Sequence, residues 1–150
     1  MAPIKRHPAL IKLSHDHHFT LLLGWKIREG LSKNISIERI SNYVKFFYEE
    51  NLKKHFREEE ETIFKLLPID NPNLKQALFE HVKLNELGNS DLNSTEKLEE
   101  FEKLLTAHIR FEERTLFKEI QQVATDEELQ KILEMPHHDC NDFWRDEFWK

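Results

Sequence analysis

Glycine, proline and cysteine are scarce in this chain: three, five and one in 150 residues. So few turn-formers, with abundant Leu, Glu, Lys and Phe, exclude a sheet-rich fold and read as all-helical. The lone Cys140 excludes an internal disulfide and fits a reducing cytosol. No apolar run approaches membrane-spanning length, and the N-terminal Met1-Ala-Pro-Ile-Lys-Arg-His-Pro8 has no signal core. The expectation is a cytoplasmic protein with no membrane association. No basic cluster is present and the net charge is −6, which argues against nucleic acid. The length suits one domain over 1–150 with a real core.

What is present in excess is histidine, nine in all and unevenly placed. His15, His17 and His18 cluster early, His137 and His138 late, and His55, His81 and His108 stand singly between them. The ten residues His55-Phe-Arg-Glu-Glu-Glu-Glu-Thr-Ile-Phe64 reappear 53 positions later as His108-Ile-Arg-Phe-Glu-Glu-Arg-Thr-Leu-Phe117, six of them identical. Each copy carries a glutamate four residues after its histidine: Glu59 and Glu112. Four residues is one helical turn, so imidazole and carboxylate emerge from one face and can grip one ion.

Punctuation divides the chain into an up-down-up-down antiparallel four-helix bundle, about 8–124, with a short fifth helix and C-terminal tail over 125–150. The first helix runs from Pro8 to Glu29 and stops at Gly30. Asn34 and Ser36 offer a cap for the second, which continues to Leu67 before Pro68. Asn71 and Pro72 open the third, and Gly88 closes it as a C-terminal glycine. Asn93-Ser-Thr-Glu96 reads as a capping box for a fourth helix reaching Val123, and Thr125-Asp-Glu-Glu128 as a box for the fifth.

At the α-helical rise, His17 lies about 14 Å into its helix, His55 about 18 Å before the end of the second, His81 about 14 Å into the third and His108 about 23 Å before the end of the fourth. Antiparallel packing therefore brings them to a similar level. Leu52, Leu78 and Leu105 stand three residues before the later histidines, and Tyr48, Leu74 and Phe101 seven before, so those histidines face the core. A buried imidazole needs a hydrogen-bond partner or a metal. Imidazole with bridging carboxylate suits iron, manganese or zinc better than magnesium or calcium, and Glu59 and Glu112 are placed to bridge two ions. An apolar surround would admit a small ligand rather than a bulky substrate. In the run Glu58–Glu61, Glu59 points in and Glu60 and Glu61 out.

The set Leu13-Ser-His-Asp-His-His18, His55-Phe-Arg-Glu-Glu59, Glu80-His81 and His108-Ile-Arg-Phe-Glu112-Glu113 resembles the hemerythrin-like (HHE cation-binding) domain over about residues 8–120. That resemblance implies a four-helix bundle holding a non-haem di-iron centre, bridged by two carboxylates and an oxygen atom, that binds dioxygen. Carried over, His55 and His108 become terminal ligands, Glu59 and Glu112 the bridges, and His81 the third-helix ligand. On the first helix Leu-x-x-Asp-His selects His17, with His18 as the competitor; His15 and His7 fall outside the inner set. One position departs from the pattern. Oxygen-carrying hemerythrins have a further third-helix histidine one turn before His81, and here it is Ala77, so the site is one nitrogen short unless His18, Glu58 or a tail histidine substitutes.

The function expected is binding or sensing of dioxygen or a related small oxidant such as nitric oxide or peroxide, rather than catalysis. A ferritin-like oxidase or peroxidase is the competing reading, but it needs Glu-x-x-His, and the minus-three slots hold leucines. A metal-dependent interaction module is the third. The tail is expected to pack Phe143, Trp144, Phe148 and Trp149 over the bundle, the alternative being that His137 or His138 shields the metal or meets a partner. Nothing nearby activates Cys140 as a thiolate.

Overall fold

Two apolar plugs, one at each end of a helical bundle, enclose a polar band between them. The structure, a computed structural model, describes residues 5–150; residues 1–4, part of the segment read for a signal core, lie outside them. The helices are α1 (Pro8–Ser32), α2 (Ile37–Phe47), α3 (Lys53–Glu61), α4 (Pro72–Asn89), α5 (Thr95–Phe111), α6 (Phe117–Val123) and α7 (Asp126–Leu133). A π-helical turn, Tyr48–Leu52, joins α2 to α3, and another, Glu112–Leu116, joins α5 to α6, so these segments form two long rods. There is no strand among the described residues. No helix there is long and apolar enough to cross a membrane.

The direction of the rods follows from what their ends bury. One plug combines the end of α1 (Leu23, Ile27), the start of α2 (Ile40, Tyr43), the end of α4 (Leu84) and the start of α5 (Leu98, Phe101). The other combines the start of α1 (Leu10, Leu13), Ile63 and Phe64 after α3, the start of α4 (Leu74, Ala77) and α6 (Phe117, Ile120). Starts meet ends throughout, which is the up-down-up-down arrangement expected of short connections.

Several boundaries differ from their sequence signals. Gly30 does not stop α1; it is buried inside it, and a Cβ there would come within 2.9 Å of Ile40 and of Phe148. The helix ends instead at Ser32, and Asn34 just beyond it takes the left-handed conformation (φ 57°) and lets Ile35 N–H reach the Gly30 carbonyl at 3.0 Å. Ser36 alone caps α2, accepting from Arg39 N. Gly88 likewise lies within α4, where a Cβ would sit 2.5 Å from the Tyr48 ring. Both glycines serve close helix contact, not chain reversal. The box read at Asn93–Glu96 does not form: Ser94 is the cap, and it accepts from Lys97 N. The Thr125–Glu128 box forms as expected. The second helix does not run unbroken to Leu67, since Thr62 (φ −120°, ψ −93°) ends α3 and a 3₁₀ turn, Ile63–Leu66, follows.

The tail crosses the bundle without regular secondary structure. Phe148 and Trp149 are buried, and Trp144 is partly so. Phe143 departs from expectation and is exposed. Buried Lys26 fastens the tail: its ammonium meets Asp142 at 3.0 Å and Tyr43 Oη at 3.1 Å, and lies 4.0 Å from the Trp149 ring centre.

Candidate metal centre

Between the plugs, four helical rods each turn one imidazole inward. His17 (α1), His55 (α3), His81 (α4) and His108 (α5) are buried, with Glu59 and Glu112 fully so. The His/Glu spacing of one turn survives in both copies: His55 Nε2 lies 3.1 Å from Glu59 Oε2, and His108 Nε2 lies 2.8 Å from Glu112 Oε1. His17 Nε2 is 3.1 Å from His55 Nε2, 3.5 Å from Glu59 and 3.6 Å from Glu112, while His81 Nε2 is 3.2 Å from Glu59 Oε1. These atoms fall into two groups able to hold a metal ion: His17, His55, Glu59 and Glu112, and His81, His108, Glu59 and Glu112. Both carboxylates belong to both groups.

The donor atoms aim at shared space rather than at one another. All four oxygens of Glu59 and Glu112, with Nε2 of His81 and of His108, are buried and make no hydrogen bond, although several lie within 3.2 Å of a neighbour. Orphaned buried carboxylates and imidazole lone pairs are costly in an apolar surround, and a shared cation removes that cost. The residues present therefore fit metal ions at two neighbouring positions.

Outside the inner set stands a ring of carboxylates, one for each histidine. Asp16 Oδ2 lies 3.2 Å from Nδ1 of His55, Glu60 Oε2 2.6 Å from His81, Glu80 Oε1 2.7 Å from His108 and Glu113 Oε1 3.0 Å from His17. An Nδ1–H donating outward leaves Nε2 as a lone pair facing in, the arrangement metal-bound histidines need. Each of these carboxylates sits next in sequence to an inner residue yet serves the histidine of the following rod, so the ring closes around the bundle.

The pattern repeats in halves. In each copy of the ten-residue motif, the glutamate after the bridging one holds a histidine of an unduplicated helix, and the terminal phenylalanine stacks on that same ring. Glu60 and Phe64 serve His81, with ring centres 5.2 Å apart; Glu113 and Phe117 serve His17, also at 5.2 Å. Phe56 covers the other face of His81 at 4.3 Å. The unduplicated helices answer alike, with Asp16 before His17 holding His55, and Glu80 before His81 holding His108.

Electrostatics distinguish the two inner carboxylates. Burial pushes the Glu59 carboxyl up, but His55, His17 and His81 outweigh it and hold it well below the usual carboxylate range. Glu112 ends above its ordinary value, because burial and the charge of Glu59 outweigh His108 and His17. Burial pulls the His108 imidazole down, yet Glu112 and Glu80 carry it up to about 10. His17, His55 and His81 are likewise raised against burial: His17 by Glu113 and Glu59, His55 by Glu59 and Asp16, and His81 by Glu59 and Glu60. Without metal, protons neutralise part of this buried charge.

Not every expected residue joins the cluster. His18 is exposed, its ring beside Phe19, so it is no inner donor; the helix turns it about 100° away from His17. His15 is exposed too, and His7 caps α1 by accepting from Ala9 N. Ala77 packs in the apolar plug, and no other histidine of the described residues takes its place. Glu58 and His137 pair with each other at 2.7 Å outside the inner set. Glu60, expected to face only solvent, is 40% exposed but turns its carboxylate back to His81. Cys140 is half-buried, and burial with Asp142 pushes its thiol up to about 12.

The sequence gives no role to Asp16, Glu60, Glu80 or Glu113 as partners of the histidines, because each acts across a helix interface. Their adjacency to an inner donor was the available signal. The family model of the hemerythrin HHE cation-binding domain matches residues 7–120, which span every inner and outer residue of the centre. No curated protein and no solved structure matches the chain. By the extent of that match, the chain belongs to the hemerythrin HHE cation-binding domain family.

Proposed function

We propose that this protein holds a pair of iron ions between its four rods and binds dioxygen, or a related small oxidant such as nitric oxide or peroxide, at that centre. The carrying observation is the pair of donor groups sharing Glu59 and Glu112. Imidazole nitrogen with carboxylate oxygen favours iron, manganese or zinc over magnesium or calcium, and among these the resemblance of the site motifs to hemerythrins implies iron. Bound iron would supply redox change and open coordination positions for the small ligand. The chain's own residues supply the rest. His17 and His55 hold one position and His81 and His108 the other, the outer carboxylates orient the rings, and Phe56, Phe64 and Phe117 exclude water. With Ala77 in place of a further donor, each position would be held by two imidazoles and the two shared carboxylates, and bound metal there would keep exchangeable positions for a small ligand. That favours sensing over reversible carriage.

A binding role is preferred to an oxidase because the minus-three slots are apolar: Leu52 and Leu105 are buried in the core and Leu78 packs against it. The lone Cys140 and the net charge of −6 fit a cytoplasmic protein acting without nucleic acid. Anaerobic reconstitution with ferrous iron, followed by iron analysis and optical spectra before and after air, tests the reading. Two irons per chain and new charge-transfer bands on oxidation are expected. One iron or none overturns the di-iron assignment, and a full load with an unchanged spectrum overturns oxidant binding.

A further inference from the structure

The two halves of the centre are backed differently, and the difference leads to the C-terminal tail. Glu80, which holds His108, is braced from its own helix: Gln76 Nε2 donates to its second oxygen at 3.2 Å. Asp16 is the corresponding residue for His55. The side chain one turn before it, Lys12, instead donates to the Leu133 carbonyl at 3.0 Å. Asp16 has a buried Oδ1 with no partner, and its bond to His55, at 3.2 Å, is the longest of the four in the ring. What approaches it comes from beyond the matched family region. Nε2 of His137 lies 3.5 Å from Asp16 Oδ2, an ion-pair distance.

His137 is itself fixed. Its Nδ1 lies 2.7 Å from Glu58 Oε2, and the other oxygen of Glu58 accepts from His138 N at 3.1 Å. Three residues further on, buried Asn51 clamps the tail backbone, donating to the Asn141 carbonyl at 2.8 Å and accepting from Asn141 N at 2.8 Å. Lys26 then holds Asp142. Asn51 belongs to the π-helical turn just before His55, and Lys26 to the helix that carries Asp16. The tail is thus tied to both elements on either side of the Asp16–His55 bond. A narrow cavity lined by Asp16, Thr20, Asn51, His55, His138 and Cys140 lies between tail and bundle at this place.

We propose that His137 is a positioning residue of the metal centre, acting through Asp16 on His55 and so on the His17/His55 position alone. The inference rests on the metal reading above. Its logic is mechanical: an imidazole binds metal well only when its far nitrogen is held, and loss of such a partner lowers metal affinity by about tenfold or more. Glu58 and Asn51 hold the strap that carries His137, while the His81/His108 half is held by Glu60 and Glu80 without it.

The test uses the full chain loaded with cobalt(II) alone, whose paramagnetism shifts the ligand ring N–H protons clear of the proton NMR envelope. Asp16→Asn assigns the His55 N–H. His137→Ala is expected to speed exchange of that proton and to weaken one cobalt of the pair about tenfold, with the His108 N–H unchanged as internal control. His137→Gln, which puts an amide N–H in place of the ring to bond Asp16, is expected to restore slow exchange. Cobalt uptake with an unaltered His55 proton in His137→Ala overturns this proposal and leaves the metal reading standing. Equal disturbance of all four protons also overturns it, since that reports general loosening. Failure of the wild-type chain to take up cobalt sinks both.

Discussion

The His17/His55 half of the centre and the His81/His108 half use the same parts under different support. His17 is held by Glu113, which Arg6 and Ser14 brace, and His55 by Asp16, which the tail approaches. His81 depends on Glu60, open to solvent, and His108 on Glu80, braced only by Gln76 of its own helix. One half is buttressed from outside the four rods, and the other stands on the bundle. The two inner carboxylates differ as well, with Glu59 approached by three imidazoles and Glu112 by two. A duplicated motif can therefore specify a site of two like positions while its surroundings make them unequal.

The largest effect should come from erasing what the halves share. Glu59→Ala removes a donor from both groups and is expected to abolish loading of the pair, measured as metal per chain after desalting. His108→Ala should instead leave one ion, at the His17/His55 position. Next come the outer carboxylates. Glu60→Gln and Glu113→Gln are each expected to weaken metal binding by about 10–100-fold, read by competition with a coloured chelator. Wild-type protein should release its metal in two phases, the less buttressed His81/His108 position first. A single phase would show that the difference in support carries no energetic weight.

The repeat made the inner cage legible. One-turn His/Glu spacing in an apolar frame identified Glu59, Glu112, His55 and His108, and leucines on the same stripe drew in His81. What could not be read was anything depending on the rotation of one rod against the next. Asp16, Glu60, Glu80 and Glu113 each reach a histidine on a different helix, and no spacing within a helix encodes that. The π-helical turns have no residue signature either, although both fall beside site residues, where such turns concentrate. Gly30 and Gly88 misled for a physical reason: they look like helix stops, but what is used is the missing Cβ, not a positive φ.

The pH dependence separates metal-free from loaded protein. His108, raised to about 10, and the other three imidazoles, also raised, stabilise the metal-free fold fully below their unfolded value and lose that contribution as pH rises through the folded one. Metal needs those same rings neutral. Thermal melts between pH 6.5 and 10 should thus show metal-free stability falling from this source while the metal-induced rise in Tm grows; a constant increment would contradict the proton–metal competition. The smallest effect expected is at the packing of one half. Gly88→Ala, ordinarily favourable inside a helix, should here cost about 1–3 kcal/mol, because the new methyl meets the Tyr48 ring at the turn leading to His55. Urea denaturation measures it.

Two like metal positions sharing two carboxylates would be visible in an anomalous difference map collected at the iron edge from crystals of the reconstituted protein. Two peaks are expected, one beside His17 and His55 and one beside His81 and His108, with Glu59 and Glu112 touching both. A single peak, or a peak that engages neither glutamate, would contradict that arrangement.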